Sequence, residues 1–171
     1  MNIRPLESET DLRGAIRTNG RAWKAAYDDI VPESIIERVA ASPTDERLDA
    51  LFEAVHNSRY FVAVDETDSV RGYAYFRWGD DETKEFVEAD EAGLKEIYVD
   101  PDEWGRGIGT ALLEHGLARL PESITALKLE ALSENDSGKR FYTARGFEPI
   151  KESTITIADE SYSVTIYSLS L

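Results

Sequence analysis

Leu94-Lys-Glu-Ile-Tyr-Val-Asp-Pro-Asp-Glu-Trp-Gly-Arg-Gly-Ile-Gly-Thr-Ala-Leu-Leu113 is the stretch on which the reading of this chain turns. Leu94 to Val99 reads as a strand, and Asp100-Pro101 turns the chain. Gly105, Gly107 and Gly109 then bring backbone N–H groups together where a helix over 107–120 begins. A helix N-terminus offers unpaired donors and partial positive charge, which suits a phosphate or pyrophosphate. Glycines let such an anion approach the backbone without Cβ clashes, and Arg106 adds a charged contact at the rim. A P-loop would need Gly-Lys followed by Ser or Thr, and none is present. The dinucleotide fingerprint G-x-G-x-x-G/A also fails, because its last position falls on Thr110 or Leu112. Glu130 lies far enough downstream to mimic a ribose-binding acid, so a nicotinamide reading and a turn serving only packing stand beside the phosphate reading.

Working outward, Ile3 to Leu6 reads as a strand and Ser8-x-x-Asp11 as a helix start. Leu12, Ala15, Ile16, Trp23, Ala26 and Tyr27 recur at mostly helical spacing up to Tyr27. Pro32 opens a second helical piece, and Asp45 to Val55 reads as another. The period then changes: 60–65 and 70–78 are strands joined by the turn Glu66-Thr-Asp-Ser69, and 79–93 is an acidic loop. Beyond the glycine segment come a strand over 124–131, a helix over 137–145, and a closing strand pair over 147–157 and 162–169. This order predicts one domain over residues 1–171. It is of α/β (α+β) class, with a mixed, mostly antiparallel sheet of about seven strands flanked by about four helices.

Composition narrows the function. The 171 residues include 34 Asp and Glu against 19 Lys and Arg, a net charge of −15. That balance argues against duplex DNA or an anionic membrane as partner. The excess acid is either a surface that attracts cationic substrates or a solvated, self-repelling surface of the halophilic kind, suited to high salt. A hydrophobic content of 42% supports a core, and no apolar run approaches the ~20 residues of a membrane span. The start lacks a signal-peptide layout, so a cytoplasmic location is expected. Cysteine is absent, which removes a thiol nucleophile and any Cys-ligated metal. His56 and His115 stand in no metal-like spacing, so no metal is expected.

Trp104-Gly-Arg-Gly-Ile-Gly109 resembles the acetyl-CoA-binding motif Q/R-x-x-G-x-G/A of the GNAT superfamily of N-acetyltransferases, with Trp104 in place of the leading Gln or Arg. Asn135-Asp-Ser-Gly-Lys-Arg-Phe-Tyr-Thr-Ala-Arg-Gly-Phe147 is similar to the family's N-x-x-A/G-x-x-F-Y-x-x-x-G-F helix. Ala22-Trp-Lys-Ala-Ala-Tyr27 with Ile30-Val-Pro32 resembles the first helices of many members. The resemblance implies the acyl-CoA N-acyltransferase fold, with acetyl-CoA as co-substrate and no metal. It implies cofactor contacts from Ile97, Tyr98 and Val99, which would pair with the pantetheine amides like an added strand. Further contacts would come from Trp104, Gly105, Arg106, Gly107, Ile108, Gly109 and Thr110, and from Asn135 and Lys139. A homodimer is one implied assembly.

Acetyl transfer from a thioester to an amine needs a proton acceptor, a proton donor to the departing sulfur, and a donor to the tetrahedral oxyanion. By resemblance Tyr142 is the acid, although its ring can instead simply pack beneath the sheet. Asn135 either bonds the pantetheine arm or caps a helix. Glu96, an acid in a mostly apolar strand, is either the base or a solvated residue. Trp23, Tyr27 and Trp78 are candidates for the acceptor pocket or for the core. The expected activity is direct acetyl transfer to a primary amine of a small molecule, protein or peptide. The alternative is a non-catalytic acyl-CoA-binding sensor or scaffold module.

Overall fold

The computed structural model describes residues 1–56, 59–79 and 82–171. Asp80 and Asp81, part of the acidic loop read from the sequence, lie outside the described residues. The elements run β1 (Asn2–Pro5), α1 (Glu9–Tyr27), α2 (Glu33–Ala40), α3 (Asp45–Val55), β2 (Tyr60–Val64), β3 (Val70–Arg77), β4 (Ala92–Val99), α4 (Ile108–Leu117), β5 (Ala126–Leu132), α5 (Asp136–Ala144), β6 (Glu148–Ile157) and β7 (Glu160–Ser170). Five α-helices form among the described residues where about four were expected. The short segment opened by Pro32 is a full helix, because Ile35 and Ile36 give it a buried face.

The chain divides into two compact units, Met1–Phe76 with Glu96–Arg119, and Arg77–Lys95 with Leu120–Leu171. In the first, β1 and β2 pair antiparallel, as do β2 and β3. Asp100 N–H donates to the Arg71 carbonyl at 2.8 Å just beyond the end of β4. Strand β2 is buried along its whole length, so it carries apolar residues at every position instead of alternating. Tyr60, Val62, Tyr73 and Tyr75 join Leu12, Ala15 and Leu48 in one cluster. Helix α1 starts where Ser8 Oγ accepts from Asp11 N–H at 3.1 Å, the cap that the sequence spacing predicted. The predicted turn at 66–69 is built on Asp65, whose Oδ1 accepts from Thr67 N–H at 2.8 Å and Ser69 N–H at 3.1 Å.

In the second unit the strand order is β4-β5-β7-β6. Here the expectation of a mostly antiparallel sheet gives way to a mixed one. Ala92 and Gly93 of β4 pair parallel with Leu127 and Lys128 of β5. The physical reason is the chain path, since β4 and β5 are joined through a helix and a helical crossover returns a strand in the same direction. Strands β5 and β7, and β6 and β7, are antiparallel. The β6–β7 hairpin turns through Ala158 and Asp159, with φ of 48° and 67°, the left-handed pair that a two-residue turn needs. The acidic loop is not merely a solvated rim. Glu91 is buried and lies 2.8 Å from Lys128 Nζ, which also donates to the Phe86 carbonyl at 3.1 Å.

Candidate acetyl-CoA site

Strand β4 delivers Glu96, Ile97, Tyr98 and Val99, all half-buried, to the start of the glycine loop. Asp100 is 1% exposed and accepts from Asp102 N–H at 3.1 Å, so the Asp-Pro turn is capped from within. Its Oδ2 stands 3.2 Å from the Arg21 guanidinium and 3.9 Å from that of Arg71, both outside hydrogen-bond geometry. Asp102 and Asp100 beside Arg21 raise its pKa further. The strand exit is therefore held by charges from α1 and β3, a set of partners too far apart in sequence to be read from spacing.

A single turn of 3-10 helix over Pro101–Glu103 then leads to Trp104, whose Nε1 donates to the Val99 carbonyl at 2.8 Å. Gly105 and Gly107 follow with φ of 77° and 83°. These left-handed conformations strain any residue with a Cβ. A Cβ built on either would meet no heavy atom within 4 Å, so the space in front of the loop is open. Gly107 is the N-cap of α4 and offers no side-chain cap. Helices α1, α3 and α5, by contrast, are capped by Ser8, Thr44 and Asn135. An uncapped helix start behind an open glycine surface fits an anionic group such as a pyrophosphate. Ile108 is buried and anchors the helix, Gly109 and Thr110 complete its first turn, and exposed Arg106 pairs with Glu103 at 3.0 Å. That pairing makes Arg106 a neutralised rim residue and not a lone cation.

Around β4 the first unit also gathers aromatic side chains. Trp23 Nε1 donates to the Tyr98 hydroxyl at 3.1 Å and meets Tyr27 edge-on at 4.7 Å. Tyr98 lies 5.9 Å from Tyr73, whose hydroxyl accepts from Asn19 at 2.8 Å. Burial, and next the charge of Glu96, push the Tyr60 and Tyr73 hydroxyls well above the usual phenol range. The Glu96 charge thus acts on the tyrosine hydroxyls of β2 and β3. Tyr27 is 8% exposed and belongs to the core, whereas Trp23 is half-buried.

The second unit holds the other candidates. Asn135 Oδ1 accepts from Gly138 N–H at 3.0 Å, which is the capping role. Tyr142 is half-buried, with ring centroids of Phe141, Phe147 and Tyr167 at 5.3, 5.7 and 5.7 Å. Lys139 is exposed on α5, and Trp78 is half-buried just beyond β3. Glu130, the acid that mimics a dinucleotide site in sequence, lies 3.3 Å from Lys84. Asp11, Glu91 and Asp100 are the buried acids among the described residues; the sequence placed Asp11 at a helix start and Asp100 in a turn, but gave no sign that any of the three is buried. Both histidines serve local packing: His56 stacks on Phe52 at 5.0 Å and His115 meets Phe61 at 4.9 Å. Among the described residues no group of three or more His, Cys, Asp or Glu could hold a metal ion, and no helix is long and apolar enough to cross a membrane.

The sequence model of the acetyltransferase (GNAT) family matches residues 23–147, from α1 through the end of the α5 block. The chain belongs to the GNAT family. Mycothiol acetyltransferase of Actinosynnema mirum is 30% identical over 149 residues, a match covering 85% of this GNAT chain and 43% of that protein. This chain thus spans less than half the length of that curated relative. Among solved structures, the ribosomal-protein-S18-alanine N-acetyltransferase of Escherichia coli is 26% identical, with a TM-score of 0.65 over 99% of this chain and 92% of that one. PaiA N-acetyltransferase of Thermoplasma acidophilum, in complex with coenzyme A, has a TM-score of 0.71 at 21% identity, covering 99% and 98% of the two chains. The second likeness establishes that the two share the GNAT fold.

Proposed function

We propose that this chain is a single GNAT domain that transfers an acetyl group from acetyl-CoA directly to a primary amine. The observation that carries the reading is the glycine loop, in which Gly105 and Gly107 at positive φ open onto the uncapped start of α4. The amides of that loop, from Gly105 to Thr110, hold the pyrophosphate, and the backbone of Ile97, Tyr98 and Val99 receives the pantetheine arm. The Val99 carbonyl already accepts from Trp104, so its second lone pair is the one left for pantetheine. Asn135 and Lys139 add polar contacts to the same cofactor.

The bound thioester supplies the activated acyl group, so the chain's own task is to orient a neutral amine and manage two protons. Glu96 takes the proton from the incoming ammonium, with Trp23 and Trp78 shaping the acceptor side. Tyr142 gives its hydroxyl proton to the departing sulfur. The absence of cysteine agrees with direct transfer without a thioester on the enzyme. The acidic surface adapts the protein to a salty cytoplasm, and a homodimer is its assembly.

The test is thiol release from acetyl-CoA across a panel of primary amines, read beside the melting temperature with coenzyme A. Amine-dependent release is expected. Coenzyme A that protects against melting while no amine accelerates release would leave an acyl-CoA-binding module instead.

A further inference from the structure

Gly105 and Gly107 lie at φ of 77° and 83°, with no heavy atom within 4 Å of where a Cβ would stand. On that side no packing fixes the loop, and glycine has the widest backbone freedom to lose. The course of the loop is therefore set from behind, at the turn that enters it. Asp100 is the root of that turn. Its N–H donates to the Arg71 carbonyl, and its own carbonyl accepts from Glu103 N–H, each at 2.8 Å. Its Oδ1 accepts from Asp102 N–H at 3.1 Å.

The remaining oxygen, Oδ2, is buried and accepts no hydrogen bond. A buried carboxylate oxygen in that state is costly unless a cation stands close. Arg21 Nη1 is 3.2 Å away and Arg71 Nη1 is 3.9 Å away. Arg71 is committed to Asp65, to which its Nε donates at 2.7 Å. Arg21 is the nearer cation, and its Nη2 donates to Asp102 at 2.8 Å. One guanidinium thus spans both acids of the turn, a fork that an ammonium does not reproduce. Two residues further along α1, Trp23 donates to the Tyr98 hydroxyl, two residues before Asp100. Helix α1 therefore grips the end of β4 on each side of Val99.

We propose that Arg21 is a positioning residue for coenzyme A, holding the turn from Asp100 to Asp102, and through it the glycine loop, in the form that receives the pyrophosphate. It acts through the backbone and not by contact with the cofactor. The inference rests on the coenzyme reading of the loop given above. Without the guanidinium the loop samples other forms, and apparent affinity falls in proportion to the competent fraction. The test compares Arg21→Gln, Arg21→Lys, Asp102→Asn and Arg4→Gln by calorimetry with coenzyme A and by melting. Arg4 pairs with buried Asp11 in the same unit, so its loss lowers stability without touching the turn.

Arg21→Gln is expected to bind coenzyme A about tenfold more weakly, roughly 1.4 kcal/mol. Arg21→Lys, which keeps the charge but not the fork, falls between it and the wild type. Asp102→Asn weakens binding about twofold, the scale of a surface pair. That direction is diagnostic, because removing a negative charge near an anionic ligand would otherwise tighten it. Arg4→Gln melts lower and binds as the wild type does. In the transfer assay the KM for acetyl-CoA rises in Arg21→Gln, while kcat at saturating acetyl-CoA is retained. Wild-type affinity in Arg21→Gln, an equal loss in Arg4→Gln, tighter binding by Asp102→Asn, or a loss confined to kcat overturns the proposal. Unaltered binding by Arg21→Gln leaves the coenzyme reading standing, whereas a wild type that binds no coenzyme A overturns both.

Discussion

The indole Nε1 of Trp104 donates to the Val99 carbonyl at 2.8 Å, tying the first residue of the glycine motif to the last residue of β4. The side chain that replaces the family's Gln or Arg therefore acts on its own backbone, although its ring is 46% exposed. Trp104→Phe keeps a ring and removes the donor. A neutral hydrogen bond is worth about 1 kcal/mol, so coenzyme A is expected to bind about fivefold more weakly with little change in melting temperature. Titration calorimetry measures it, and unchanged affinity would show that the bond does not organise the loop.

Gly107→Ala puts a Cβ on a residue at φ 83°, at a cost of roughly 1–2 kcal/mol of backbone strain. Because nothing in the protein occupies that space, the methyl group intrudes on the ligand and not on a neighbour. Coenzyme A affinity should fall more than the strain alone dictates, by about a hundredfold or roughly 2.7 kcal/mol. A variant that melts lower but binds normally would argue against the cradle.

Asp11 supplies a pH test of stability. Burial raises its pKa, but two bonds from the Arg4 guanidinium, at 2.7 and 3.0 Å, and the backbone amides of Glu7 and Ser8 outweigh it, and the net direction is down. With the folded pKa below the unfolded value of about 3.9, the contribution is complete above that value. It is lost as pH falls through the folded pKa. Asp11→Asn should cost about 1–3 kcal/mol at neutral pH, and the gap to wild type should narrow as the solution is taken below about pH 4. Melting curves at stepped pH check it; a gap that stays constant would assign the loss to packing.

Tyr142→Phe removes one hydroxyl and leaves the ring among Phe141, Phe147 and Tyr167. If that hydroxyl protonates the sulfur, kcat should drop about a hundredfold, the lower end of general-acid effects, with coenzyme A affinity intact. Stopped-flow thiol detection separates the two, and an unaltered kcat would leave Tyr142 with a packing role only.

Local signals in the sequence were reliable where one short segment contains its own cause. The Ser8 cap, the Asp65 turn and the Asn135 cap all bond within four residues or fewer. Relationships that join distant residues were not legible. Arg21 and Arg71 reach Asp100 from two other elements, and Glu91 pairs with Lys128 across the parallel strands. No periodicity marks such partners, because a charge buried by tertiary contact looks the same in sequence as one on the surface. The acidic loop was read as solvent-facing for that reason, and Glu91 is its exception. Strand β6 is exposed for most of its length, so its limits came from its turn and from the pairing with β7.

Helix α4 has its decisive residue at the end opposite the glycine loop. A Cβ on Gly116 would lie 2.1 Å from the buried Phe76 ring, so either that ring or the helix must shift. Gly116 is eight residues beyond Ile108, which is about 12 Å along the axis at the usual rise. The helix is a rigid lever, and its far end sets where its amides point. Where the helix gives way, a methyl group added at 116 shifts the proposed cofactor cradle from about 12 Å away.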